Sequence, residues 1–166
     1  MRFVAFLLFL FLLPLSLFIT FLIYFPTRTN VLFLQPRIGL AKKEFIVYKF
    51  KTMENNKITA VGKYLRKLGL DEIPQLLNIM KGEMSFIGPR PLTFQDIKRL
   101  EWNQEKFADR WSVKPGITGL AQLTNVCSAE LSMKNDLFYI KNKSFFMDFK
   151  IIFRTIFVPV LGKFTK

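Results

Sequence analysis

The sequence predicts an α+β protein, a mainly helical single domain with a small β-hairpin, led by an apolar membrane segment. Three observations carry this. Phe3 to Phe25 is an uncharged apolar run, Val31 to Met53 is rich in Val, Ile, Phe and Tyr around a Gly and Lys turn, and apolar residues from Ile58 onward recur at helical spacing. At 166 residues the chain is long enough for one core and too short for two independent ones.

The first segment meets the roughly 20-residue requirement for crossing a bilayer. A plain transmembrane helix is one reading. A signal peptide is disfavoured, because no small-residue cleavage site precedes "PTRTN". The other reading is a re-entrant hairpin that enters and leaves on one face. Pro14, near the middle, removes a helical hydrogen bond and favours a kink. Ser16 could bond back to the Leu12 carbonyl. Arg2 and Arg28 flank the run, so charge asymmetry marks neither end as outside. The residues alone leave both readings open.

Val31 to Met53 reads as two strands of a hairpin. Ile58, Val61, Leu65 and Leu68 share one helical face, and Gly69 is a stop signal. A second helix is expected to start near Asp71. "FIGPRP" reads as a turn, Thr93 to Phe107 as a polar helix, and "VKPGITGLAQ" as a Gly/Pro loop leading to a short extended piece. Ser128 or Ser132 is a candidate cap for a helix running to about Lys141. Ser144 to Val160 mixes Phe and Ile with Asp148, Lys150 and Arg154. It is too polar to span and too apolar to stand free in water, which suits an interfacial helix or a buried one.

Composition narrows the chemistry. There is no histidine, and Cys127 is the single cysteine, so an internal disulfide, a Cys/His zinc cluster and a Ser–His or Cys–His nucleophile system are excluded. Proton transfer or metal binding then falls to oxygens, with Mg²⁺ the natural metal. The lone cysteine suits a reducing compartment. An excess of 25 Lys and Arg over 12 Asp and Glu points to an anionic partner, whether nucleic acid, lipid headgroups or a phosphorylated substrate. The 20 phenylalanines favour a membrane interface over a nucleic-acid reader.

Asp71 and Glu72 are the one adjacent carboxylate pair in the chain, between Arg66 and Lys67 upstream and "GPRP" downstream. A structural reading is available, since acidic residues favour a helix N-terminus and Pro74 is tolerated in a first turn. The functional reading starts from the same place. A helix start beside basic side chains binds phosphate oxygens, and a carboxylate there must attack phosphorus, hold a metal that screens the charge, or both. "GPRP" is a stiff turn on one view. On the other, Pro89 and Pro91 hold Arg90 rigidly for bidentate phosphate recognition.

The chain resembles the bacterial sugar transferases, small monotopic polyprenyl-phosphate phosphoglycosyl transferases, through "VLFLQPRIGL", "FIVYKFKTM", "VGKYLRKLGLDEIPQLLNIMKGEMSFIGPRPL", "VKPGITGLAQL" and "FYIKNKSFFMDFKIIFRTI", in order along nearly its whole length. The resemblance implies transfer of a phosphosugar from a UDP-sugar to undecaprenyl phosphate with release of UMP, at the cytoplasmic face of the bacterial inner membrane. It implies Asp71 as nucleophile through a covalent phosphosugar enzyme and Glu72 as a Mg²⁺ ligand. Lys49, Arg66 and Arg90 would be among the groups facing phosphates, Lys114 a further substrate-binding group, and Pro89, Arg90 and Pro91 the family's Pro-Arg-Pro turn. It also implies that residues 1–28 form a re-entrant hairpin bent at Pro14. Residues 29–166 would form the catalytic domain, with interfacial amphipathic helices that include the C-terminal one.

Four departures from the family pattern stand out. Leu13 occupies the place of a common serine before the proline, and the usual basic and aromatic lead-in is lacking. Glu54 to Lys57 is short where relatives often carry an acidic loop, and "LTNVCSAE" stands where many members have Asn-Gly-Arg. Two other classes compete: a non-catalytic relative that binds anionic lipid, expected to show salt-sensitive liposome binding without turnover, and a nucleic-acid binder, for which no motif is visible.

Overall fold

The computed structural model describes residues 1–124 and 128–157. Cys127 and the end of the C-terminal apolar stretch, with Pro159 and Val160, lie outside the described residues. The chain is α+β and mainly helical, as its sequence predicts. It groups into two compact units, one made of Met1–Gln35 with Ile46–Gly82, the other of Pro36–Phe45 with the described residues from Glu83 onward.

The first unit opens with helix α1 (Arg2–Thr27), which contains Pro14 and Pro26. It is long and apolar enough to cross a membrane. Ser16 Oγ donates to the Leu12 carbonyl (2.9 Å), the back-bond anticipated near the proline. Ala5, Ile19 and Ile23 are buried, whereas Phe3, Phe11, Phe18, Phe21 and Phe25 stand exposed. Both ends of α1 are tied to this unit. The Arg2 guanidinium lies where a side chain on Gly82 would go. Just past the other end, Lys51 Nζ donates to Thr29 Oγ1 (3.1 Å) and the Lys51 amide to the Val31 carbonyl (2.8 Å).

Strands β1 (Leu32–Ile38) and β2 (Glu44–Phe50) form the expected hairpin. In β2, Phe45, Val47 and Phe50 are buried. Asn78, fully buried, accepts from the Tyr48 amide (3.2 Å) and donates to the Ile46 carbonyl (2.6 Å), docking the later helix on β2. A miniature hairpin follows, β3 (Met53–Glu54) with β4 (Lys57–Ile58). Its two-residue turn puts Asn55 and Asn56 at positive φ (48° and 60°), a conformation that asparagine tolerates.

Helix α2 (Ala60–Leu68) begins with Thr59 Oγ1 accepting from the Gly62 amide (2.9 Å) and ends at Gly69 (φ 69°). The expected helix at Asp71 is different in kind. Leu70–Gln75 is a 3₁₀ turn, and α3 (Leu76–Lys81) starts only after it. Pro74 explains the shift, because it disfavours α-helical geometry in the residue before it and has no amide to donate.

In the second unit, β5 (Ser85–Ile87) pairs in parallel with β6 (Gly116–Thr118), Ser85 opposite Gly116 and Ile87 opposite Thr118. The sequence shows only turns there, since three-residue strands are too short to reveal a period. The polar helix expected over Thr93 to Phe107 is cut to α4 (Phe94–Arg99). Glu101 at φ 55° turns the chain so that Trp102 drops into a core of Ile97, Trp111 and Met133, and a 3₁₀ turn, Glu105–Trp111, follows. After α5 (Leu120–Leu123) come α6 (Ala129–Lys141), preceded by Ser128 at the N-cap position without a side-chain cap bond, and α7 (Phe145–Phe157). Helix α7 sends Ile151 into a core with Ile87 and Tyr139. Its Phe145, Phe146, Phe149, Ile152, Phe153, Ile156 and Phe157 remain exposed.

Candidate active site

Asp71 and Glu72 sit in the 3₁₀ turn that links α2 to α3. Gly69 ends α2 in a left-handed conformation, and the Glu72 amide bonds back to its carbonyl (3.3 Å), so the two carboxylates follow at once. Ile73, Pro74, Gln75 and Leu76 are buried directly after them and anchor the turn. Both carboxylates are half-buried.

Two predicted basic residues of the same unit converge on this turn. Lys49, from β2, pairs through Nζ with Glu72 Oε1 (2.5 Å). Arg66, in the last turn of α2, is exposed, and its Nε donates to Thr52 Oγ1 (2.8 Å), which holds the guanidinium by one edge. Sequence reasoning missed Thr52, whose role depends on β2 and α2 meeting.

Asp71 makes no ion pair among the described residues. Burial, with the Glu72 charge adding, holds its carboxyl above the ordinary value; Lys49, its own backbone amide and Arg66 oppose the rise. The two are placed differently: Glu72 is ion-paired with Lys49, whereas Asp71, without an ion pair among the described residues, is more basic than an ordinary aspartate. A more basic carboxylate is a better nucleophile. Because Lys49 lowers the Asp71 pKa, Lys49→Met should move its titration to still higher pH, visible in a ¹³C-carboxyl NMR titration of the metal-free protein. A titration moved downward, or not at all, would contradict this account.

Among the described residues no group of three or more His, Cys, Asp or Glu side chains could hold a metal. That donor set still fits Mg²⁺, which commonly binds one or two carboxylates and completes its shell with water and substrate phosphate oxygens. Glu72 is the carboxylate that would hold it.

The other predicted site residues lie in the second unit. Pro89 and Pro91 are buried and Arg90 between them is exposed. Lys114 is half-buried, and its carbonyl faces Gly88 so closely that a side chain on Gly88 would strike it. The Ser85 amide donates to the Pro115 carbonyl (2.8 Å), the Gly88 amide to Thr118 (2.9 Å) and the Gly116 amide to Pro89 (3.0 Å). The structure thus brings Lys114 and the Pro89–Arg90–Pro91 turn together, as it does Lys49, Arg66, Asp71 and Glu72. Pro14 lies on α1, exposed.

Comparison with known proteins shows which family the chain is similar to. The family described as bacterial sugar transferase matches residues 2–162. The sugar transferase EpsL of Bacillus subtilis (strain 168) is 43 % identical over 140 residues, covering 76 % of this chain and 68 % of its own. The UDP-N-acetylgalactosamine-undecaprenyl-phosphate N-acetylgalactosaminephosphotransferase of Aeromonas hydrophila is 36 % identical, covering 90 % of this chain and 40 % of its own. The UDP-glucose:undecaprenyl-phosphate glucose-1-phosphate transferase of Klebsiella pneumoniae is 34 % identical, covering 90 % and 37 %. The chain thus spans about two fifths of the length of the latter two relatives.

Proposed function

The chain belongs to the bacterial sugar transferase family, and from that premise we propose that it is a phosphoglycosyl transferase that moves a phosphosugar from a UDP-sugar to undecaprenyl phosphate. The observation that carries the mechanism is the half-buried Asp71, without an ion pair among the described residues, beside a Glu72 ion-paired with Lys49. Asp71 attacks the sugar-bearing phosphorus, the phosphoanhydride bond breaks, and UMP leaves with that bond's electrons. An oxygen of undecaprenyl phosphate then attacks the same phosphorus. The acyl phosphate bond breaks, freeing the Asp71 carboxylate and the lipid diphosphosugar. Arg66, Lys49, Arg90 and Lys114 contact phosphate oxygens, Arg66 with its edge preset by Thr52. Bound Mg²⁺, held by Glu72, would screen phosphate charge.

The membrane reading extends the same proposal. Residues 1–28 form a re-entrant hairpin, and residues 29–166 a catalytic domain at the cytoplasmic face of the inner membrane. Support comes from Pro14 inside α1 and from the Ser16 Oγ bond to the Leu12 carbonyl (2.9 Å), two features that favour a bend there. The exposed phenylalanines of α7 support interfacial contact.

The test is UMP release by the purified, detergent-solubilised chain with Mg²⁺, undecaprenyl phosphate and a panel of UDP-sugars. Multiple-turnover release that requires both the lipid phosphate and Mg²⁺, beyond the single equivalent that donor alone can yield, is the expected result, and the active donor names the sugar. Folded protein that is silent across the panel, yet binds anionic liposomes in a salt-sensitive manner, would replace the enzyme with a lipid-binding relative.

A further inference from the structure

Four successive carbonyls in the second unit, residues 89–92, each have a donor. The Gly116 amide takes Pro89 (3.0 Å), Arg110 Nη2 takes Arg90 (2.8 Å), Arg37 Nη1 takes Pro91 (3.3 Å) and the Ile38 amide takes Leu92 (2.8 Å). Two of the four residues are prolines, with φ fixed by their rings. What remains free to move is the exposed side chain of Arg90.

One of these donors is unlike the rest. Arg110 and Asp136 are each only 3 % exposed. Arg110 Nε donates to Asp136 Oδ2 (3.0 Å), and its guanidinium carbon lies 5.1 Å and 4.8 Å from the ring centroids of Trp102 and Trp111. A buried ion pair is a poor way to gain stability, because desolvation offsets the attraction and apolar residues of similar volume often serve as well. Its geometry here does something an apolar pair cannot. Asp136 and the two indoles fix the plane of the guanidinium, and the remaining edge meets one atom, the carbonyl of Arg90.

We infer that Arg110, oriented by Asp136, Trp102 and Trp111, is a positioning residue that aims the Arg90 side chain at a phosphate of the substrates. This rests on the proposed role of Arg90 as a phosphate contact. The shared chemistry is a phosphate oxygen, from either the nucleoside diphosphate or the lipid.

A double-mutant cycle separates positioning from support. The full chain, Arg90→Ala, the paired variant Arg110→Met/Asp136→Leu and all three changes together are titrated calorimetrically with UDP and, in micelles, with undecaprenyl phosphate. Arg90→Ala should weaken one of the two, identifying the source of the phosphate. The paired variant should weaken the same ligand, roughly 10- to 100-fold, with an unchanged thermal midpoint and no added effect once Arg90 is replaced by alanine. Full persistence of its effect in the Arg90→Ala chain, or unchanged affinity for both ligands, would overturn the positioning role. Arg90→Ala binding both ligands normally would instead remove the phosphate role beneath it. If the paired variant fails to fold, Arg110→Lys, which keeps the charge but lacks the rigid planar fork that fixes direction, goes through the same cycle with the same readings.

Discussion

Asp71→Asn is expected to yield a folded protein that gains no mass when incubated with its donor alone, whereas the unaltered chain should gain the mass of one phosphosugar. Asparagine matches the carboxylate in shape, so the 3₁₀ turn, the Lys49–Glu72 pair and the burial of Ile73 and Leu76 are retained. On the proposed mechanism, what is lost is the anionic oxygen that attacks phosphorus, since a neutral amide oxygen is a far weaker nucleophile. Turnover should drop by at least about a thousandfold, the scale on which loss of a nucleophile registers in enzymes that work through covalent intermediates. Intact-protein mass spectrometry reads the adduct, and UMP release reads the rate. An Asp71→Asn variant that still turned over at a substantial rate would mean direct transfer from donor to lipid, with the carboxylate reduced to a metal ligand.

The second large effect lies in packing. Gly62→Ala should lower stability by about 2 kcal/mol or more, even though alanine is favoured over glycine in a helix interior by about 1 kcal/mol. The contact decides the sign. A Cβ at Gly62 would run into the carbonyl of Thr52, which is main chain and cannot swing aside as a side chain could. Relief requires α2 to move off that segment, and the movement would stretch the Arg66–Thr52 bond. A thermal midpoint lower by roughly 4–8 °C, with weaker UDP binding, is the expected pair of results. A midpoint that rises would show that α2 shifts at little cost.

Much of this was legible in the residues. Helix α1, the β1–β2 hairpin and α2 with its Gly69 stop stand out because each carries a long apolar pattern bounded by a clear breaker. Lys49 and Arg66 were singled out by family resemblance, and the structure places Lys49 against Glu72. Local conflicts hid the rest. Pro74 turned an expected α-helical start into a 3₁₀ turn, and the burial of Trp102 cut a polar helix short. The β5–β6 pair is too short to show a period. Arg110 and Asp136 lie 26 positions apart, on separate elements, and each resembles an ordinary surface charge until the fold brings them together.

The clamped carbonyls of residues 89–92 also bear on when order is acquired. Fixing a residue's backbone costs about 1–2 kcal/mol in conformational entropy. A mobile loop of four residues would forfeit roughly 4–8 kcal/mol each time it closed on a phosphate. Here the loss is taken once, as the chain folds, so if Arg90 holds a phosphate as proposed, each encounter meets a turn whose backbone is already fixed. Only the rotamers of one arginine side chain are left to settle.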